Sequence, residues 1–265
     1  MIHRFLAGLA LAFLAGPVLA SACPAHYVAG RLPEIPKPEL ATATRELCYG
    51  EFGVVHSGVT RTPLWSAEYL SARNLALAAG RPRKNSFHPE PRLPGAERAE
   101  LRDYARSGYD RGHMSPSANM PNRRAQYESF TLANMVPQDA DNNREVWAGI
   151  EGTVRKMAKK DGALYVITGP AFIGGTLRRI GNVRVPTHLY KVVYSPKQKG
   201  GAAWFVENRG DVEARLMTIA QLEQAIGIDV MPALGPSEKR TLLRVPKARA
   251  RWKRGSHADQ VLAAW

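Results

Sequence analysis

The densest chemistry in the chain lies at Tyr109-Asp110-Arg111-Gly112-His113-Met114, where an acid, a guanidinium and an imidazole surround one glycine. About thirty residues later comes Asp141-Asn142-Asn143-Arg144, followed by Trp147 and Glu151. Asn143, Trp147, Glu151 and Arg155 recur every four residues, which on a helix makes one slowly drifting stripe. A stripe carrying an amide, a carboxylate and a cation is not a core face. A neutral imidazole accepts a proton from water near neutral pH. A hard divalent cation prefers oxygen ligands and keeps several waters, so one or two protein ligands suffice. Arginine grips phosphate through two nitrogens at once. Base, oxygen ligand and guanidinium are the parts for phosphodiester hydrolysis.

These groups need elements to hold them. Residues 131–136 read as a short strand, and 141–160 have helical spacing with Ile150, Val154 and Met157 as one apolar set. Asp141 is the expected N-cap, and Asp161-Gly162 the stop. Further strands are expected at 163–168, 188–194 and 202–206, with a short helix at 219–226. Residues 65–77 are weakly periodic, and 80–96 form a basic, proline-broken loop. Strands surrounding one strong helix, without strict alternation, indicate a single mixed α+β domain.

The chain has 265 residues, 45% hydrophobic and 23% charged, which excludes a disordered tail, a collagen-like fibre and a disulfide-held mini-protein. Lys plus Arg number 37 against 23 Asp plus Glu, and the resulting +14 attracts polyanions such as nucleic acid, anionic lipid or acidic polysaccharide. Residues 1–22 read as a signal peptide: a positive start at Met1-Ile2-His3-Arg4, an apolar run, a Gly16-Pro17 break and a small-residue site at Ala20-Ser21-Ala22. No later stretch reaches the roughly 18 uninterrupted apolar residues of a membrane helix. The expected location is therefore secreted or periplasmic. Cys23 and Cys48 are the two cysteines, and in an oxidising compartment they are expected to form a disulfide worth about 3 kcal/mol. The rival is lipidation of Cys23, although Leu19-Ala20-Ser21-Ala22-Cys23 is a poor lipoprotein box. Residues 23–60, with Pro33, Pro36 and Pro38, read as an N-terminal strap ahead of a main domain over 61–265.

Three blocks give the chain a family likeness. Asp110-Arg111-Gly112-His113, then Thr131-Leu132-Ala133-Asn134-Met135-Val136-Pro137-Gln138, then Asn143-x3-Trp147-x3-Glu151 resemble the DNA/RNA non-specific endonucleases of the ββα-metal fold. The likeness runs from about Arg83 to about Ala171, and its order and spacing are far more specific than DRGH alone. It implies a hairpin and a helix packed on a central antiparallel sheet. It implies that His113 is the general base, that Asn143 is the direct protein ligand of the metal, and that Glu151 holds metal-bound water. Arg111 would neutralise phosphate charge or orient the site, Arg83 and Arg155 would contact substrate, Asn134 would brace the hairpin, and Asp110 would hold backbone. The cofactor implied is Mg²⁺, with Mn²⁺ as a substitute. The substrates implied are DNA and RNA, cut to 5′-phosphate products by one-metal hydrolysis.

Alternatives remain at several of these positions. Asn143 also suits a helix start, and Asn142 would be the ligand if the register were off by one. Glu151 and Arg155 could form an ordinary surface ion pair. The runs Lys159-Lys160, Arg178-Arg179 and 247–253 are either solvated faces or part of a cationic track. Two other functions compete: a non-catalytic binder of extracellular nucleic acid, and a phosphodiesterase acting on small or lipid-like substrates. A zinc-dependent nuclease is disfavoured, because no Cys/His cluster has zinc spacing.

Overall fold

The structure, a computed structural model, describes residues 21–246. The expected leader up to residue 20 and the basic run at 247–253 lie outside the described residues. In chain order the elements are β1 (Thr44–Cys48), β2 (Gly53–Ser57), β3 (Thr62–Ser71), α1 (Ala72–Ala78), α2 (Leu101–Tyr104), β4 (Asp110–His113) and α3 (Arg123–Ser129). They continue as β5 (Met135–Gln138), α4 (Ala140–Asn142), α5 (Ala148–Asp161), β6 (Ala163–Ala171), β7 (Arg179–Ile180) and β8 (Val183–Arg184). The last are β9 (His188–Ser195), β10 (Gly200–Glu207), β11 (Arg215–Met217), α6 (Ile219–Ile226) and α7 (Pro236–Arg240).

One seven-stranded antiparallel sheet, ordered β1-β2-β3-β6-β9-β10-β11, is the frame. Side chains alternate across its strands, so each face has its own core. Leu164 and Val166 of β6 join Leu189 and Val193 of β9 and Trp147, Ile150, Val154 and Met157 of the long helical segment on one face. Ile167, Tyr190, Val192 and Tyr194 meet Ile219 and Leu222 of α6 and Tyr27 of the N-terminal segment on the other. Between β3 and β6 the chain leaves the sheet and builds a separate hairpin, β4 paired with β5. That excursion carries the residues singled out above. The strap expected at 23–60 ends earlier than its expected boundary, since β1 and β2 are full members of the sheet.

Several local expectations are corrected. The segment at 131–136 is not a strand throughout. Thr131 Oγ1 accepts from the Ala133 amide, a 3₁₀ turn occupies Leu132–Asn134, and pairing starts at Met135. The helix N-cap is Asp139, not Asp141, because the Asp139 carboxylate accepts from the Asp141 and Asn142 amides at 3.1 and 3.0 Å. Between α4 and α5 the backbone stays helical but opens into one π turn, Asn143–Trp147. At the far end Gly162, at φ 94, takes a conformation that a side chain disfavours and stops the helix. Cys23 and Cys48 are free thiols rather than the expected disulfide. Cys23 donates to Glu46 at 3.5 Å and Cys48 to the Ala22 carbonyl at 3.6 Å. Burial, followed by Cys48 beside it, pushes the Cys23 thiol far above its usual range, so it keeps its proton.

Candidate active site

Alternation along β4 sends its four residues two ways. Arg111 and His113 face a pocket of aromatic rings. Phe130 stands edge-on to His113 at 4.9 Å, and Phe87 lies tilted at 5.8 Å. The Arg111 guanidinium sits over Phe87 at 4.7 Å and over Tyr104 at 5.9 Å. Arg83 lies over Phe130 at 5.2 Å. Burial, and then the Arg83 charge, push His113 down to about 3, so its imidazole is neutral across the physiological range. His113 Nε2 and Arg111 Nε are buried without a hydrogen-bond partner among the described residues. Orphaned buried groups of this kind are the natural contacts of a bound water or ligand.

Asp110 and Gly112 point the other way, towards β5 and the helix start. A Cβ on Gly112 would stand 2.6 Å from the Gln138 Cβ, so only glycine lets the Gln138 side chain cross there. Gln138 donates to Asn142 Oδ1 at 2.8 Å, and Asn142 donates to the Glu207 and Arg209 carbonyls at 2.7 and 3.3 Å. Both ends of the Asn142 amide are therefore occupied. Asn143 differs. Its Nδ2 donates to Asp110 Oδ2 at 2.9 Å, while its Oδ1 accepts no hydrogen bond from the described residues. A carboxylate only accepts, so Asp110 fixes the amide with nitrogen inward and oxygen free. The same carboxylate receives Arg144 through two bonds at 2.7 and 2.9 Å. Asp110 thus holds side chains of the helix start, not the backbone that the sequence suggested.

One turn beyond the π turn, Glu151 lies 3.7 Å from Arg155. Burial raises Glu151, while Lys191, Arg155 and Arg83 draw it back down. The Arg83 charge lowers both His113 and Glu151. Arg83 itself donates to Asn85 at 2.7 Å. Asn134 closes the base of the hairpin: it accepts from the Ser115 amide at 3.0 Å and donates to the Ser115 and Ser129 carbonyls, each at 2.9 Å. Among the described residues no cluster of three or more His, Cys, Asp or Glu could enclose a metal. The Asn143 oxygen and the Glu151 carboxylate are a donor set suited to a hard cation that keeps most of its water.

Sequence reasoning missed three polar residues beneath this site. Glu68 of β3 and Lys191 of β9 are buried on the sheet face under the hairpin, and Asn119 lies in the turn after His113. Burial pushes Glu68 up to about 7 and pulls Lys191 down. Lys191 donates to Thr168 at 2.6 Å and to the Met114 carbonyl at 3.3 Å. The signal available was a charged residue inside each apolar strand run, at Glu68 between Trp65 and Leu70 and at Lys191 between Leu189 and Val193. Cys23 and Cys48 belong elsewhere, beside the core on the opposite sheet face.

Known proteins bear on this arrangement. The chain is 32% identical over 196 residues to a mitochondrial nuclease EXOG of Danio rerio, covering 66% of this chain and 57% of that one. It is 31% identical over 223 residues to the mitochondrial nuclease of Saccharomyces cerevisiae, covering 73% and 68% respectively. Nuclease C1 of Cunninghamella echinulata is 39% identical over 150 residues, covering 52% and 60%. The chain thus spans little more than half the length of the EXOG relative. The EndoG fold, a ββα-metal nuclease fold solved in a complex of EndoG with EndoGI, superposes with a TM-score of 0.64 at 28% identity, over 69% of this chain and 84% of that one. The expected secreted or periplasmic location is overturned, because relatives from Danio rerio, Saccharomyces cerevisiae, Schizosaccharomyces pombe and Homo sapiens are mitochondrial nucleases. The cysteine pair that supported export is unbonded in the structure. No helix among the described residues is long and apolar enough to cross a membrane. The matching hairpin, helix and sheet agree with the family match over residues 33–236: the chain belongs to the DNA/RNA non-specific endonuclease family.

Proposed function

We propose that this chain hydrolyses phosphodiester bonds of DNA and RNA without sequence preference and leaves 5′-phosphate ends. The observation that supports the reading most directly is the Asp110–Asn143 bond, which ties the strand carrying His113 to the helix start and frees the Asn143 oxygen. His113, held neutral, takes the proton of the attacking water. Arg111, Arg83 and Arg155 bind the phosphate, and because they address phosphate rather than base edges the preference for sequence is weak. Asn143 would hold a divalent cation, Mg²⁺ with Mn²⁺ as a substitute, with Glu151 supporting its hydration. Bound there, the cation supplies positive charge to stabilise the transition state and the leaving oxygen. Asp110 and Asn134 are structural in this scheme. One keeps the Asn143 amide aligned, and the other locks the hairpin's base.

The test is cleavage of plasmid and of RNA by the purified chain with Mg²⁺, with chelator, and as His113→Ala. The variant is expected to bind nucleic acid but to cleave at least about 10²-fold more slowly, the scale for losing a general base. Near-parent cleavage by His113→Ala would refute the assignment. End-labelling of the products distinguishes the two phosphate positions. Ends that accept a new 5′ label only after phosphatase treatment support the proposal, and ends that accept it directly contradict it.

A further inference from the structure

Beneath the helix, a chain of polar contacts runs from the sheet to the guanidinium assigned to substrate. Glu68, 2% exposed, accepts from Asn119 Nδ2 at 3.0 Å. Asn119, 6% exposed, accepts at its Oδ1 from Arg155 Nη1 at 3.4 Å. Arg155 in turn lies 3.7 Å from Glu151. The segment that follows His113 is already fastened to the same sheet face by other means. Ser66 bonds Ser115 at 2.6 Å, and Lys191 donates to the Met114 carbonyl at 3.3 Å. Glu68 is thus not the only sheet residue that anchors the segment. Burying a carboxylate is costly unless its partner makes use of it. The second Glu68 oxygen is buried with no partner, so its bond to Asn119 is the single hydrogen bond its carboxylate makes among the described residues.

The middle link has the required polarity. A carboxylate only accepts and a guanidinium only donates, so the side chain joining them must donate at one end and accept at the other. An amide does both without charge. Glu68 holds the Asn119 nitrogen, which turns the Asn119 oxygen towards Arg155. We propose that Glu68 and Asn119 are positioning residues that aim the Arg155 guanidinium at the substrate phosphate from beneath the helix. Neither touches substrate. They act through Arg155, and the inference rests on the phosphate-binding role proposed above for that residue.

A double-mutant cycle tests it with the full chain and a defined oligonucleotide. Asn119→Leu keeps the branched shape and heavy-atom count and removes both bonds. It is expected to lower kcat/KM about tenfold, the scale of one charge-assisted bond, with most of the change in KM. Arg155→Ala is expected to lose more. If the relay acts through Arg155, adding Asn119→Leu to Arg155→Ala changes kcat/KM by no more than about twofold, since the partner is already gone. A residue that only stabilised the fold would give losses that multiply, and multiplied losses overturn the inference while leaving the site reading intact. Parent activity in Arg155→Ala overturns both. Glu68→Gln, which keeps shape and an acceptor, goes through the same cycle, so a folding defect in Asn119→Leu still leaves a decision. Glu68→Gln is expected to retain more activity than Glu68→Leu and to add nothing to Arg155→Ala. A multiplied loss there also overturns the inference.

Discussion

Two adjacent asparagines with the same side chain have different tasks, and their hydrogen bonds divide the tasks. Asn142 is buried and spends its amide on Gln138 and the Glu207 and Arg209 carbonyls. Asn143 spends its nitrogen on Asp110 and keeps its oxygen. Asn142→Ala is therefore expected to destabilise by about 1–3 kcal/mol, the cost of leaving buried partners unpaired, while the dependence of activity on Mg²⁺ is unchanged. If Asn143 holds the cation as proposed, Asn143→Ala should do the reverse, with near-parent stability and a Mg²⁺ requirement shifted to much higher concentration. Denaturant midpoints and activity titrated against Mg²⁺ separate the two, and a shifted metal curve in Asn142→Ala alone would move the ligand by one residue. The sequence draws attention to His113, Asn143 and Glu151 because each sits in a short block of chemically suited residues at regular spacing. Glu68, Asn119 and Lys191 were not legible as a group. They come from β3, the turn after β4, and β9, and only the sheet register brings them together. The role of Asp110 was misread for a related reason: its partners are 33 and 34 residues away.

The elements show where pattern reading succeeds and where side-chain bonds override it. The strands at β6, β9 and β10 and the helix α6 followed from apolar runs and periodicity, and each lies where that pattern places it. Residues 131–136 have the composition of a strand, yet Thr131 and Asn134 bond locally and bend the first half into a turn. The helix starts earlier than expected because Asp139 competes with Asp141 for the cap, and its side chain reaches two amides. The π turn at Asn143–Trp147 left no trace in the spacing of four, which it interrupts by a single wide turn. Gly112 is the hairpin's most sensitive point. Any side chain there collides with Gln138, whose amide also holds Asn142. Gly112→Ala is expected to cost about 1–3 kcal/mol through overpacking and to lower activity together with stability, since the collision displaces β4 against β5. Equilibrium unfolding and cleavage rates measured side by side check this. A stable variant that has lost activity would show that the glycine serves the substrate instead of the hairpin.

Across the whole molecule, buried titratable groups of opposite kind set how stability responds to acid. His56 is held down at about 4, mainly by burial, although it bonds the Glu97 carbonyl at 2.9 Å. His113 is held down at about 3. With ordinary values near 6.5, both take up protons on unfolding, so the stability they contribute is complete above pH 6.5 and falls as pH drops towards 4 and 3. Glu68 and Glu223 behave in the opposite sense. Burial raises each to about 7, so the folded state holds their protons more tightly, and their contribution is complete below 4.5 and is lost as pH rises through 7. Between pH 6.5 and 4.5 the two pairs oppose each other, and stability should be nearly flat. Below 4.5 the carboxyls stop compensating. There burial would raise Glu90, but bonds from Arg92 and Tyr49 outweigh it and hold it at about 2, so Glu90 joins the histidines in destabilising the acidified fold. Urea midpoints from pH 8 to 3 are expected to show a plateau and then a steep fall. His56→Gln, which can still donate to the Glu97 carbonyl, removes one of the two opposing histidines, so its stability should rise as pH falls from 6.5 to 4.5. A parent curve that already declines steadily from pH 6.5, or a His56→Gln curve of the same shape as the parent's, would show that these buried groups do not set the acid response.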